Sequence, residues 1–361
     1  MIAIDLFSGA GGLTRGLLNA GIHVVVGIDI NPDYKSTYEA NNVPSKFLCR
    51  DISDVTAEDI RPYLPAKQKD ELALVGCAPC QPFSSHRRSR SACNESRLLL
   101  EFGRLVTELC PDWVFMENVP GIAKVAGFSA FRRFTKILSD LKYKFKCDTV
   151  DAKRFGVPQT RRRFVLIASK SVVVSLPPET HGSARIAYRT VRDAIGHLPK
   201  IAAGENHPTV ANHRAAELSA LNLRRLKRTP ADGGGRLDWP AKLELECHKN
   251  SAGHEDAYGR MRWGAPAPTL TCRCFSISNG RYGHPEQHRA ISLREAANIQ
   301  SFPEDYAFSG VSIRSLGEQI GNAVPVKLAE AVGNQLLHLS STRKKPRRTS
   351  KRPRKKLRRT K

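Results

Sequence analysis

Cys80 lies in Gly76-Cys77-Ala78-Pro79-Cys80-Gln81-Pro82-Phe83-Ser84, directly after a short apolar run. Two prolines flank it and stiffen the loop. As a thiolate, cysteine is the best side chain for reversible addition to an electron-poor carbon. The same segment would also suit a buried structural cysteine or a redox pair between Cys77 and Cys80, and by itself it does not choose among them. Glu117 ends another apolar run, in Glu117-Asn118-Val119. If both runs are strands of one sheet, nucleophile and carboxyl meet at the strand ends as an acid–nucleophile pair. Gln159-Thr160-Arg161-Arg162-Arg163 precedes a third run. In an extended chain Arg161 and Arg163 share a face and Arg162 points away. Two aligned guanidiniums suit a phosphate or a base edge, although a solvated charge run has the same composition. The fourth candidate is Asp5-Leu6-Phe7-Ser8-Gly9-Ala10-Gly11-Gly12, where glycines let the backbone turn tightly against a ligand. Thr14 replaces the third glycine of the pyrophosphate fingerprint, a pattern that a cofactor without pyrophosphate does not need. Asp29 closes the next apolar run, where an acid can accept ribose hydroxyls.

These residues need a scaffold that gathers strand ends. Apolar runs at 2–6, 24–28, 72–76, 113–116, 145–150 and 164–168 read as strands, and 13–20, 97–109 and 128–141 as helices. Strand–helix alternation predicts a doubly wound, Rossmann-like α/β sheet. From about residue 177 to 283 the chain turns rich in Pro, Gly, His and Arg and loses periodicity, which predicts a smaller loop-rich domain. Helical order returns at 293–300 and 326–337. The expected division is a catalytic, cofactor-binding domain over 1–182, completed by 290–340, a second domain over 183–283, and a basic disordered tail over 343–361.

Composition narrows the partners. The 361 residues are 40% hydrophobic and 25% charged, with a net charge of +24. Thirteen Lys or Arg and no acid occupy 343–361, and the body that remains is still basic, which points to a polyanion such as nucleic acid. No apolar run is long enough to cross a bilayer and no signal peptide is visible, so a cytoplasmic protein without a membrane partner is expected. The nine cysteines do not repeat as a disulfide framework. Cys77 and Cys80 with Cys272 and Cys274 could be imagined as a zinc site. Because the second pair reads as strand, no metal is expected.

In this order, the four segments together with Gly321-Asn322-Ala323-Val324-Pro325 and Arg294-Glu295-Ala296-Ala297 before Gln300-Ser301-Phe302-Pro303 resemble the DNA cytosine-5 methyltransferase family over about residues 2–337. The resemblance implies S-adenosylmethionine as methyl donor, and a cytosine flipped out of double-stranded DNA as acceptor. It implies Cys80 as nucleophile toward carbon 6, Glu117 as the acid at N3, and Arg161 and Arg163 as residues that position the base. It implies a cofactor site of Phe7, Ser8, Gly9, Ala10, Gly11, Gly12, Leu13, Asp29, Ile30, Asp51, Ile52, Pro79 and Asn322. Residues 183–283 would then be the target-recognition domain, organised by Thr269-Leu270-Thr271. Gln159, Arg224, Arg225, Lys227, Arg260 and Arg262 are the DNA-contact candidates. The expected setting is a monomeric, nucleoid-associated modification enzyme with a cognate restriction endonuclease encoded nearby. A solitary regulatory methyltransferase, an RNA methyltransferase and a catalytically silent DNA-binding protein are the alternatives.

Overall fold

The computed structural model describes residues 1–67, 70–79, 92–123, 128–246 and 256–343, apart from the side chains of 92–96, 123, 128, 129 and 343. Seven strands form one sheet: β1 (Ile2–Leu6), β2 (His23–Asp29), β3 (Lys46–Cys49), β4 (Leu72–Gly76), β5 (Trp113–Asn118), β6 (Lys144–Asp151) and β7 (Arg162–Ser169). Their order is β3-β2-β1-β4-β5-β7-β6. β1 to β5 pair in parallel, and β7 runs antiparallel to both β5 and β6.

The strands alternate because both faces are covered. In β1, β4, β5 and β7, Ile4, Leu74, Met116 and Leu166 point to one face. There they meet Phe102 and Leu105 of α4 (Ala92–Leu109) and Phe134 and Leu138 of α5 (Phe128–Asp140). Ala3, Val75, Phe115 and Ile167 point to the other face, against Leu17 of α1 (Gly12–Asn19) and Val332 and Leu336 of α10 (Val326–Arg343). A period of two with apolar residues on both sides is the signature of a sheet buried between helices. The two C-terminal elements, α9 (Ile313–Asn322) and α10, thus return to the first half of the chain.

Strand order reverses between β1 and β4, and ligands of open α/β sheets bind outside the carboxyl ends of the strands at such a point. The antiparallel β7 adds something that an all-parallel sheet could not. Its first residues lie at the carboxyl end of β5, with Asn118 opposite Phe164 and Glu117 opposite Val165.

The sequence reading missed β3, the helix α2 (Lys35–Asn41) and α9. All three are short or polar, and their periodicity is carried by few apolar residues. Residues 272–275 form a turn rather than the expected strand, and among the described residues no group of side chains could hold a metal. Between 183 and 283 the regular elements among the described residues are α6 (Val191–Ile195), α7 (Ala220–Arg228) and short 3-10 turns. Trp239, Leu243, Ala257, Tyr258, Ile277 and Ala290 make a small core there. Val191, Ile195, Met261 and Leu270 instead share a core with Ala10, Ile299 of α8 (Leu293–Ile299) and Ile320. Among the described residues no helix is long and apolar enough to cross a membrane.

Candidate active site

Glu117 is 2% exposed at the end of β5. Its Oε1 accepts from Arg163 Nε at 2.8 Å, and its Oε2 accepts from the Cys77 thiol at 2.6 Å. Register explains the first contact: Arg163 stands one residue before Phe164, which faces Asn118, so its side chain reaches back to the neighbouring strand end. Connectivity explains the second, since Cys77 directly follows β4, the other partner of β5. The adjoining Asn118 donates its carboxamide to the carbonyl of Ala78 at 2.9 Å, which ties the loop after β4 to β5. Ala78 is two residues before Cys80 in sequence. Cys80 itself, with Gln81 and the residues through 91, lies outside the described residues.

Arg161 behaves differently from Arg163. It is 2% exposed, and its guanidinium donates to the carbonyls of Leu270 at 2.7 Å, Gly321 at 2.9 Å and Ala323 at 3.3 Å. Burial, and then the neighbouring Arg163, hold its pKa down to about 9, still charged at neutral pH. The structure brings Arg163 to Glu117 but turns the Arg161 guanidinium to backbone. Gln159, expected at the DNA, is fully buried as well. Its Nε2 donates to Gln300 Oε1 at 2.8 Å, and its Oε1 accepts from the Leu270 amide at 2.8 Å.

The glycine-rich turn at the end of β1 splits into two faces. Ala10, Gly11, Gly12 and Leu13, expected to line the cofactor, are buried against the protein. Tyr306 donates its hydroxyl to Ala10 O, and a Cβ on Gly11, which has φ +89°, would stand 2.3 Å from Asn42 Nδ2. That position excludes every other residue, both by conformation and by space. Phe7 and Gly9 remain partly exposed, and a Cβ on Gly9 would meet nothing within 4 Å. The Ser8 hydroxyl is buried with no partner. Asp29 accepts from the Gly9 amide at 2.9 Å with one oxygen and from the Asn31 amide at 3.0 Å with the other. Burial raises its pKa despite these donors. Ile30 beside it is 63% exposed.

These features fit S-adenosylmethionine. Asp29 keeps a free lone pair on each oxygen for ribose hydroxyls. Ile30 offers an apolar face to a purine, the space over Gly9 is open, and the buried Ser8 hydroxyl has no partner among the described residues. Asp51 caps the turn Ile52–Asp54 by accepting from the Ser53 amide at 2.9 Å. Ile52 itself, expected in the cofactor site, is 4% exposed and packs in the core beneath. Pro79 and Asn322 are exposed. Asn322, although expected from sequence, has a partner that no local pattern signals: its Oδ1 accepts from the Cys272 thiol at 2.9 Å. The role of Cys77 beside Glu117 is likewise invisible in sequence, where the residue reads only as half of a C-x-x-C.

Among the DNA-contact candidates, Arg224, Lys227 and Arg262 are exposed. Arg225 and Arg260 are not, and the expectation of a DNA contact is corrected for both. Arg225 donates to Leu243 O at 2.9 Å, with its guanidinium 5.5 Å from the centre of the Trp239 ring. Arg260, 1% exposed, donates to the carbonyls of Thr229, His284, Gln287 and Leu226. A loop-rich core has few backbone ladders, so its buried carbonyls need donors from side chains, and a guanidinium carries five.

The family model for C-5 cytosine-specific DNA methylases matches residues 1–338. The chain is 41% identical over 338 residues to the type II methylase M.HgiDII of Herpetosiphon aurantiacus, covering 92% of this chain and 94% of that protein. It is 34% identical to the type II methyltransferase M1.HphI of Haemophilus parahaemolyticus, covering 94% and 87%. A solved structure described as a DNA modification methyltransferase encoded within an E. coli prophage has the same fold, with a TM-score of 0.73 at 24% identity over 94% of this chain and 99% of the other.

Proposed function

This chain belongs to the C-5 cytosine-specific DNA methylase family, and from that premise we propose that it methylates carbon 5 of a cytosine flipped out of a specific double-stranded DNA sequence. The observation that carries the reading is the buried Glu117 carboxyl at the end of β5. It is held by Arg163 beside the loop that leads to Cys80. When bound, S-adenosylmethionine supplies an electrophilic methyl group. Carbon 5 of cytosine is too weak a nucleophile to take it unaided.

The remaining chemistry belongs to the chain. The Cys80 thiolate adds to carbon 6, and N3 takes a proton from Glu117, which leaves carbon 5 electron-rich. Once carbon 5 has been methylated, water takes its proton, the thiolate is expelled, and N3 returns its proton to Glu117, which restores the ring and the acid. Arg163 holds the Glu117 carboxyl in place and lies beside the base. Proton donation of this kind contributes about 10²–10⁴ in rate. Asp29, Ser8 and Ile30 would hold the cofactor, and Arg224, Lys227 and Arg262 would meet DNA. The type II names of the relatives favour a cytoplasmic modification enzyme that acts with a cognate restriction endonuclease.

The test is incubation with labelled S-adenosylmethionine and, in parallel, mixed-sequence duplex DNA or transfer RNA, beside a Cys80→Ala control, with DNA products mapped by cytosine conversion sequencing. Label at one cytosine of a short motif, absent from the control, is the expected result. Label on transfer RNA but not on DNA would overturn the substrate, and label on DNA with the control would overturn the nucleophile.

A further inference from the structure

We propose that Arg161 is a positioning residue that sets the Asn322 carboxamide from behind, with the Cys272 thiol closing the same clasp. This rests on the reading of Asn322 as a cofactor residue. Arg161 donates to Leu270 O on one segment and to Gly321 O and Ala323 O on the other, so one guanidinium joins the segment leading into the Cys272 turn to the residues on both sides of Asn322. The two segments touch at backbone distance: a Cβ on Gly321 would stand 2.4 Å from the carbonyl of Thr271. Glycine is therefore required there for α9 to receive the turn. At this seam the Cys272 thiol donates to Asn322 Oδ1 at 2.9 Å.

The consequence is directional. With Oδ1 taken by the thiol, the carboxamide presents its Nδ2 donors outward, to an acceptor on the cofactor. Thr37 of α2, the helix after β2, donates its hydroxyl to Gln319 Oε1 of α9 at 2.7 Å, which brings this seam to the β2 side of the sheet, where Asp29 stands. Gln159, through the Leu270 amide, and Gln300, through the carbonyls of Ile320 and Ala323, brace the same two segments. Among the described residues the Arg161 guanidinium touches these oxygens and, at 3.5 Å, Gln159 Oε1, and its Nε has no partner there. The two terminal nitrogens of the guanidinium are thus committed to framework.

The experiment compares Arg161→Lys, Cys272→Ala, Cys272→Ser and Asn322→Ala in the full chain, measuring kcat, the KM for S-adenosylmethionine, the KM for DNA and thermal stability. Arg161→Lys keeps the charge but not the fork, so the cofactor KM should rise about tenfold while kcat stays within about threefold. Cys272→Ala should raise the cofactor KM about three- to fivefold with the DNA KM unchanged, and Cys272→Ser should restore it, because a hydroxyl is also a donor. A drop in kcat at unchanged cofactor KM in Arg161→Lys would mean that Arg161 acts on the base and would overturn the proposal. Should that variant not fold, the Cys272 pair decides alone. If Asn322→Ala raises the cofactor KM and Cys272→Ala does not, the clasp is refuted and the cofactor reading stands. If neither does, both fall.

Discussion

Glu117→Gln is the most informative single substitution in this site. It preserves shape and removes a group that can hold either a negative charge or an acid proton. In the native site both carboxylate oxygens are occupied, by Arg163 Nε at 2.8 Å and by the Cys77 thiol at 2.6 Å. A glutamine has one acceptor for these two donors, and its amide nitrogen must face one of them as a second donor. The Arg163 side chain, 13% exposed, also loses its anion. Two effects should follow. Leaving a buried donor unmatched costs about 1–3 kcal/mol, readable as a lower urea midpoint. Loss of the acid at N3 removes about 10²–10⁴ from the rate of methyl transfer. The assay is single-turnover transfer to duplex DNA with saturating cofactor, alongside equilibrium binding of S-adenosylmethionine. Cofactor affinity should remain within about twofold, since Asp29 and Ser8 are untouched. A single-turnover rate within about threefold of the native enzyme would refute the assignment of Glu117 as the acid.

Other expectations concern particular groups. Cys80→Ala should abolish transfer whereas Cys77→Ala, which leaves Arg163 on Glu117, should retain it. Equal losses would favour a redox pair. Glu295→Gln should cost about 3–5 kcal/mol in urea unfolding, because it strips a two-pronged contact from the fully buried Arg289, and a loss under about 1 kcal/mol would contradict this. Burial, partly opposed by Glu295, holds His284 at about 4, and its Nδ1 accepts from the amides of Glu286 and Gln287. Between pH 6.5 and 4 the unfolded chain therefore binds a proton that the native ring refuses. Stability should fall as pH drops through that window, by about 3 kcal/mol in all, and be indifferent above it. His284→Asn should flatten this slope, and an unchanged slope would remove His284 as its cause. Deleting residues 343–361 should reduce the dependence of DNA affinity on salt. An unaltered slope would show that the thirteen basic residues there make no phosphate contact.

The sequence alone determined the chemistry-bearing types and the sheet that carries them. Apolar runs with a period of two at 2–6, 72–76, 113–116 and 164–168 can be satisfied only between two layers, so the strands and the ends that hold Asp5, Gly76 and Glu117 were legible. So was Asp29 at the end of β2. The elements that escaped were those whose stability comes from neighbours rather than from pattern, such as β3 and α9. The roles of individual arginines also escaped. Arg161, Arg225 and Arg260 look in sequence like Arg163, Arg224 and Arg262, and the family resemblance implied a role at the base or at DNA for all six. Tertiary structure separated them. A loop-rich region leaves buried carbonyls without ladder partners, and a guanidinium that meets several of them is worth more there than in solvent. Which arginine does so depends on segments brought together from far along the chain, Leu270 to Arg161 or His284 to Arg260. Chain folding alone creates that proximity, and no local pattern encodes it. The contacts from Cys77 to Glu117 and from Cys272 to Asn322 were hidden for the same reason.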